Sequence, residues 1–240
     1  MSSYNIDIKE LLKSGAHFGH KTSRWQPKMA QYIYTKNNGS HIIDLTKTVD
    51  CLDRALSFLE NTTANHQQIL IVGTKKQAQP IVANLAEATK MPYVNERWLG
   101  GMLTNFSTIS KQILRLKNLE RQIESNELNQ KYSKLEVQRF SEEVENLNKI
   151  YGGIKEMNDH PGALLIFDVV HDHNAVLEAK KLGIQIVGIC DTNSNPTLIN
   201  YPIPANDDSI KTIQLISDYA QKAILNGRNK TNKNQEKVTK

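Results

Sequence analysis

Apolar residues along the chain recur with two spacings, and the alternation between them sets the expected architecture. Ile6, Ile8, Leu11 and Leu12 share one face of a short amphipathic helix over residues 5–14, and Gly15 is placed to stop it. Residues 39–45 read as a short strand. Thr46 or Thr48 then opens a helix to about residue 60, with Val49, Leu52, Leu56 and Leu59 on one side. Gln68-Ile69-Leu70-Ile71-Val72-Gly73 is apolar without alternation, the pattern of a parallel strand covered on both faces. A helix over 77–90, a short strand near Tyr93-Val94, buried strands at 161–168 and 184–191, and helices over 174–182 and 209–225 continue the series. The prediction is an α/β fold: an open, mainly parallel five-stranded sheet flanked by helices, with right-handed crossovers.

Residues 107–150 break that alternation. Ile109, Ile113, Leu116, Leu119 and Ile123 recur at steps of three and four, and so do Val137, Phe140, Val144, Leu147, Tyr151 and Ile154. The polar stretch 125–131 between them marks a turn, so the segment predicts an antiparallel coiled-coil helical hairpin inserted into the α/β body. The expected division is an α/β domain from 1–105 plus 151–225, a hairpin at 106–150, and a flexible basic tail at 226–240. The joint is Arg97-Trp98-Leu99-Gly100-Gly101-Met102-Leu103-Thr104-Asn105-Phe106. Its paired glycines permit a sharp turn, its apolar residues pin the turn to a core, and Thr104 or Asn105 can cap the following helix.

Charge changes the picture at the ends. Residues 1–40 carry six Lys/Arg against two Asp/Glu, residues 226–240 carry five against one, and the segment between is net −3. Basic ends on a near-neutral body point to a polyanionic partner. The loop Gly15-Ala16-His17-Phe18-Gly19-His20-Lys21-Thr22-Ser23-Arg24-Trp25-Gln26-Pro27-Lys28-Met29 interleaves cations with flat rings, which suits RNA phosphates and bases. Lys21, Arg24, Trp25 and Lys28 are nominated there as RNA contacts. Lys75 and Lys76 after the strand at 68–73, Arg97 at the joint, and Lys111 and Arg115 on the first hairpin helix are nominated with them. Cys51 and Cys190 sit far apart in apolar surroundings and read as reduced core residues. No run of 18 apolar residues occurs, and residues 1–7 show neither a signal core nor a transit pattern, so a cytoplasm-like compartment is expected.

An enzymatic reading meets less support. Val72-Gly73-Thr74-Lys75-Lys76 follows a strand and precedes a helix, but it lacks the further glycines of a dinucleotide loop and the Gly-Lys-Ser/Thr of a P-loop. Asp168-Val169-Val170-His171-Asp172-His173 and Asp191 stand at strand ends, where α/β proteins bind ligands. His17, His20, Asp168, His171 and Asp191 therefore form the alternative, a metal-dependent hydrolase, with His17, His20 and Asp191 the metal candidates. Asp207 and Asp208 could add oxygens. No nucleophile with its base completes a catalytic set, so neither metal, cofactor nor catalytic residue is assigned.

Read in order, these pieces resemble the bacterial-type small-subunit ribosomal protein of the S-two family. The resemblance rests on Gly15-Ala16-His17-Phe18-Gly19-His20, Trp25-Gln26-Pro27-Lys28-Met29, His41-Ile42-Ile43-Asp44-Leu45, Val72-Gly73-Thr74-Lys75 and the joint. It continues through Gly152-Gly153-Ile154-Lys155-Glu156-Met157, the positions of Asp168, Asp172 and Glu178, Asp191-Thr192-Asn193 and Ile203-Pro204-Ala205-Asn206-Asp207-Asp208. Gln26 and Gln185 depart from the family's usual residues. The resemblance implies a five-stranded α/β domain with a coiled-coil hairpin on the small ribosomal subunit, and no catalysis. It implies contacts to small-subunit ribosomal RNA and to neighbouring ribosomal proteins, including the large multi-repeat one that captures messenger RNA. It implies neither a membrane nor a small-molecule substrate. The expected location is the ribosome of a bacterial cytoplasm, or of an organelle matrix or stroma where the gene is organelle-encoded.

Overall fold

A computed structural model describes residues 4–125 and 132–238. Most of the polar turn expected at 125–131 and the last two residues of the basic tail lie outside the described residues. The central sheet has five parallel strands: β4 (Ile69–Val72), β5 (Tyr93–Val94), β6 (Ala163–Ile166), β7 (Gln185–Cys190) and β8 (Tyr201–Pro204), in the order β5-β4-β6-β7-β8. Successive residues of β4 and β6 point to opposite cores. Ile69, Ile71, Ala163 and Leu165 join one apolar cluster, and Leu70, Val72, Leu164 and Ile166 join the other. Burial on both faces explains their unbroken apolar sequence.

The strand count is as expected, but its membership differs. The strand read at 39–45 is β3 (Ser40–Ile43), which lies between β1 (Phe18–Lys21) and β2 (Ile33–Asn37) in a separate antiparallel sheet. The fifth parallel strand is instead β8, which contains Pro202 and Pro204. As an edge strand, β8 has one neighbour, so the missing proline N–H groups cost no pairing on its open side. The loop at 15–29 is partly regular too. It contains β1 and the 3-10 turns Thr22–Arg24 and Pro27–Tyr32.

Seven helices occur among the described residues. α1 (Ile8–Ser14) starts at Asp7, whose carboxylate accepts from Lys9 N, and ends at Gly15 with φ 82°. α2 (Leu45–Ala64) starts before the expected threonines because Asp44 is the cap, accepting from Thr46 N at 3.0 Å. α3 is Gln79–Thr89, α4 Phe106–Glu124, α5 Lys134–Tyr151 and α6 His173–Leu182. α7 (Ile210–Val238) continues past residue 225, where Gly227 lies against Thr63 of α2 and Lys230 pairs with Glu60.

α4 and α5 are in contact: Glu120 accepts from Asn148 Nδ2 at 2.7 Å. Their base is no loose appendage. Ile109, Ile113, Leu116 and Tyr151 share the core cluster of Trp98, Met102 and Leu103. The α/β body and the first turns of the helix pair are therefore packed as one apolar unit.

Candidate functional site

Chemistry-bearing side chains converge at the carboxyl ends of the parallel strands. The order β5-β4-β6-β7-β8 places a topological switch between β4 and β6, where open α/β sheets usually bind ligands. Here that crevice is closed by the chain itself. Asp172, buried at the start of α6, accepts from Thr74 N at 3.1 Å and from Thr74 Oγ1 at 2.6 Å. Asp172 is the N-cap residue of α6, yet its carboxylate reaches Thr74, just past β4, and makes no cap bond. Burial pushes its carboxyl pKa up, and the two Thr74 bonds oppose that rise. Asp168 turns inward as well, accepting from Val170 N at 2.9 Å and His171 N at 2.8 Å.

Lys75 is held in a cage of carboxylates. Its Nζ is 3.1 Å from Asp168 Oδ2, 2.7 Å from Asp207 Oδ1 and 2.7 Å from Asp208 Oδ1, and it donates to the Asp207 carbonyl at 3.0 Å. Burial alone would lower the ammonium pKa. The bonds to Asp207 and Asp208 and the field of Asp168 overcome this and raise it. Lys75 was nominated as an RNA contact; its side chain is 17% exposed and its ammonium is paired within the protein. Lys76, one residue on, is exposed.

The second part of the cluster is His20, at the end of β1 against the end of β7. Gly19 lets the strands approach, since a Cβ there would stand 2.5 Å from Thr192 Cγ2. His20 N then donates to Thr192 Oγ1 at 2.9 Å, and His20 Nδ1 lies 3.1 Å from Asp191 Oδ2. The Asp191 bond raises the imidazole pKa to about 8 despite partial burial, with Asp207 and Asp208 adding to the rise. Asp207 is itself pushed up to about 7, by burial first and then by Asp168 and Asp191. One ligand atom each from His20, Asp191 and Asp207 falls within 4.8 Å of the others, a spacing that could hold a cation. His17 is not part of that group. Its Nδ1 is buried without a partner, and burial lowers its pKa. His171, expected beside the metal in the hydrolase alternative, is exposed.

The remaining nominees lie outward. Lys21, Arg24, Lys28, Lys76, Arg97 and Lys111 are exposed, and Trp25 is 37% exposed, its ring 5.2 Å from that of buried His41. Arg115 is exposed but pairs with Glu143 across the helix pair at 2.6 Å. Tyr34, 75% exposed on β2, is an outward ring that the sequence reading passed over, because β2 itself was not recognised. Glu178 was noted only as a matching position. It accepts from Trp98 Nε1, Gly101 N, Leu103 N, Thr104 N and Thr104 Oγ1, so one carboxylate organises the joint. The signal was an acid three residues after buried Ala175 on the inward face of α6.

Comparison with known proteins adds to this geometry. The family model for ribosomal protein S2 matches residues 11–227. The chain is 48% identical over 222 residues to the small ribosomal subunit protein uS2 of Bifidobacterium longum (strain DJO10A), covering 92% of this chain and 79% of that protein. It is 50% identical over 225 residues to uS2 of Roseiflexus castenholzii, covering 94% and 85%. Against uS2 of Corynebacterium urealyticum it is 47% identical over 223 residues, covering 93% and 83%.

Proposed function

The chain belongs to the ribosomal protein S2 family, and on that footing we propose that it is a structural protein of the small ribosomal subunit that binds the subunit's RNA through its N-terminal loop. Family membership assigns it a structural role in the ribosome and no catalysis. Polar groups at the switch crevice are also engaged within the protein: Asp172 is held on Thr74, and Lys75 is committed to Asp168, Asp207 and Asp208. Among the described residues, no helix is long and apolar enough to cross a membrane.

One observation carries the RNA reading. The cations divide into an internal one, Lys75, and an outward set, Lys21, Arg24 and Lys28, on a loop anchored to the sheet. Gln26 N donates to Thr192 O at 2.8 Å, so these charges stand on a fixed support. Fixed cations beside a half-exposed tryptophan match a phosphate backbone with an unstacked base. Neighbouring ribosomal proteins are the further partners, with the exposed face of the α4–α5 pair as the second surface. Recruitment of the multi-repeat messenger-RNA-capturing protein belongs to the same reading, as does a place on the ribosome of a bacterial cytoplasm or an organelle. Gradient sedimentation of a cell extract tests it. Comigration with small subunits through a moderate salt wash, near one copy per subunit, is expected; residence among free proteins would overturn it.

A further inference from the structure

We propose that Thr192, buried under the N-terminal loop, is the positioning residue of the RNA contact: it clasps both ends of the arch 21–25 and so holds Lys21, Arg24 and Trp25 in one fixed arrangement for the RNA backbone. The proposal rests on the RNA-binding reading above and specifies how the chain prepares that surface.

The clasp consists of two bonds from the loop's backbone. His20 N donates to Thr192 Oγ1 at 2.9 Å, and Gln26 N donates to Thr192 O at 2.8 Å. The residues between them therefore start and finish on one residue just past the end of β7. Thr192 is 0% exposed, so it does not touch RNA itself. Its hydroxyl is used both ways, donating to Asp191 Oδ1 at 3.1 Å while accepting from His20 N. The close approach needs Gly19, since a Cβ there would also lie 2.9 Å from Thr192 Oγ1. One further tie, from Thr22 N to Gly39 O at 3.0 Å, holds the arch to the turn between β2 and β3.

Packing does little for the arch. None of residues 21–25 is buried, and the 3-10 turn Thr22–Arg24 has no buried side chain. The next turn differs, because its Met29 is wholly buried. An arch without apolar anchors keeps its shape through its backbone bonds, and Thr192 accepts two of the three named here. All three spare the arch's own side chains, which leaves Lys21, Arg24 and Trp25 to the partner. Cations on a loose arch would each lose freedom on meeting the phosphates. Holding the arch beforehand removes part of that cost.

The test measures binding of the full-length protein to small subunits depleted of it, over a series of salt concentrations, with the folded fraction followed in parallel by unfolding. Thr192→Val keeps the side-chain shape and removes the acceptor, whereas Thr192→Ser keeps the hydroxyl. Folded Thr192→Val is expected to bind on the order of tenfold more weakly. Its slope of log affinity against log salt should match the wild type, because no cation has been removed. Thr192→Ser should recover most of the affinity. A merely structural role would lower stability and leave the affinity of the folded fraction unmoved. Wild-type affinity in folded Thr192→Val, or an equal loss in Thr192→Ser, would overturn the proposal. Should Thr192→Val not fold, amide hydrogen exchange of the wild type decides: slow exchange at His20 and Gln26 supports the clasp, and exchange as fast as at exposed Ser23 overturns it. Lys21, Arg24 and Lys28 changed together to Ala are the control. If that variant keeps both affinity and slope, it is the loop's RNA contact that fails, whatever Thr192 does.

Discussion

Glu178 and Trp98 are joined by a hydrogen bond of 3.1 Å from the indole Nε1 to Oε1, although 80 residues separate them. The same oxygen accepts from Gly101 N at 2.8 Å, and Oε2 accepts from Leu103 N and Thr104 N, each at 3.0 Å. A single carboxylate on α6 therefore fixes the turn that launches α4. The Thr104 hydroxyl donates to the same Oε2, and Asn105 makes no side-chain cap bond.

The nature of the donors makes glutamine a poor substitute for Glu178. Both oxygens face N–H groups, so an amide in either orientation sets its NH2 against at least two donors. Glu178→Gln should thus destabilise the protein about as much as Glu178→Ala, on the order of 3 kcal/mol each by denaturant unfolding. Burial raises this carboxyl pKa, but the bonds from Thr104, Trp98, Gly101 and Leu103 together outweigh it, leaving it below the ordinary value. The folded-state pKa is depressed, so the stabilisation is present above the unfolded value and is lost as pH falls through the folded one. A near-neutral Glu178→Gln variant would contradict the arrangement.

The two glycines of the joint should respond differently to a side chain. Gly101 has φ 90°, and a Cβ there would lie 3.2 Å from Asn105 Cβ; Gly100 has no positive φ and nothing within 4 Å of a Cβ. Gly101→Val should cost about 2 kcal/mol or more and disturb the direction of α4, while Gly100→Ala should stay within about 0.5 kcal/mol of wild type. Equal thermal stability and equal subunit incorporation of the two variants would count against the turn geometry.

What was legible in the sequence was whatever had a period. The apolar runs at 68–73 and 161–168 announced buried parallel strands, and the three-and-four spacing of Ile109, Ile113 and Leu116 announced a helix with its core face. The small antiparallel sheet was hidden because β1 and β2 are four and five residues long and largely exposed, leaving no apolar stripe. The Lys75 cage was hidden for another reason. Its carboxylates come from the ends of β6 and β8, far away in sequence, so nothing local to Lys75 announces them. Long-range polar contacts such as Glu178 with Gly101 carry no local periodicity at all.

The His20–Asp191 contact predicts a pH dependence of stability. The folded imidazole pKa is about 8, above its ordinary value of 6.5. A raised pKa means the ion pair contributes fully below about 6.5, and its contribution is lost as pH rises through about 8. Discounted for partial exposure, the effect is on the order of 1 kcal/mol. Asp207, raised to about 7, also favours its protonated form in the fold, and its contribution is lost at lower pH, between its ordinary value and about 7. Unfolding of the wild type in a chelator should show stability falling between pH 6.5 and 8.5, and His20→Gln should flatten the curve. A flat wild-type profile would remove the charged pair from the account.

The division of the cations into outward and caged sets gives opposite expectations for two kinds of variant. Lys21, Arg24 and Lys28 are exposed, so changing all three to Ala should leave unfolding stability within about 1 kcal/mol while weakening association with the subunit. The slope of log affinity against log salt should shrink by roughly 0.7–0.9 for each phosphate contact removed. Lys75→Met should do the reverse. It leaves Asp168 and Asp207 buried without their cation, which should cost about 3 kcal/mol of stability, with the salt slope unchanged in whatever fraction still folds. If Lys75→Met instead flattened the salt dependence at full stability, its ammonium would have to leave the cage for RNA, and the partition of charge drawn from the structure would fail. If the triple variant kept both affinity and slope, the N-terminal loop would drop out of the contact surface, and the exposed cations of α4 would be the next to remove.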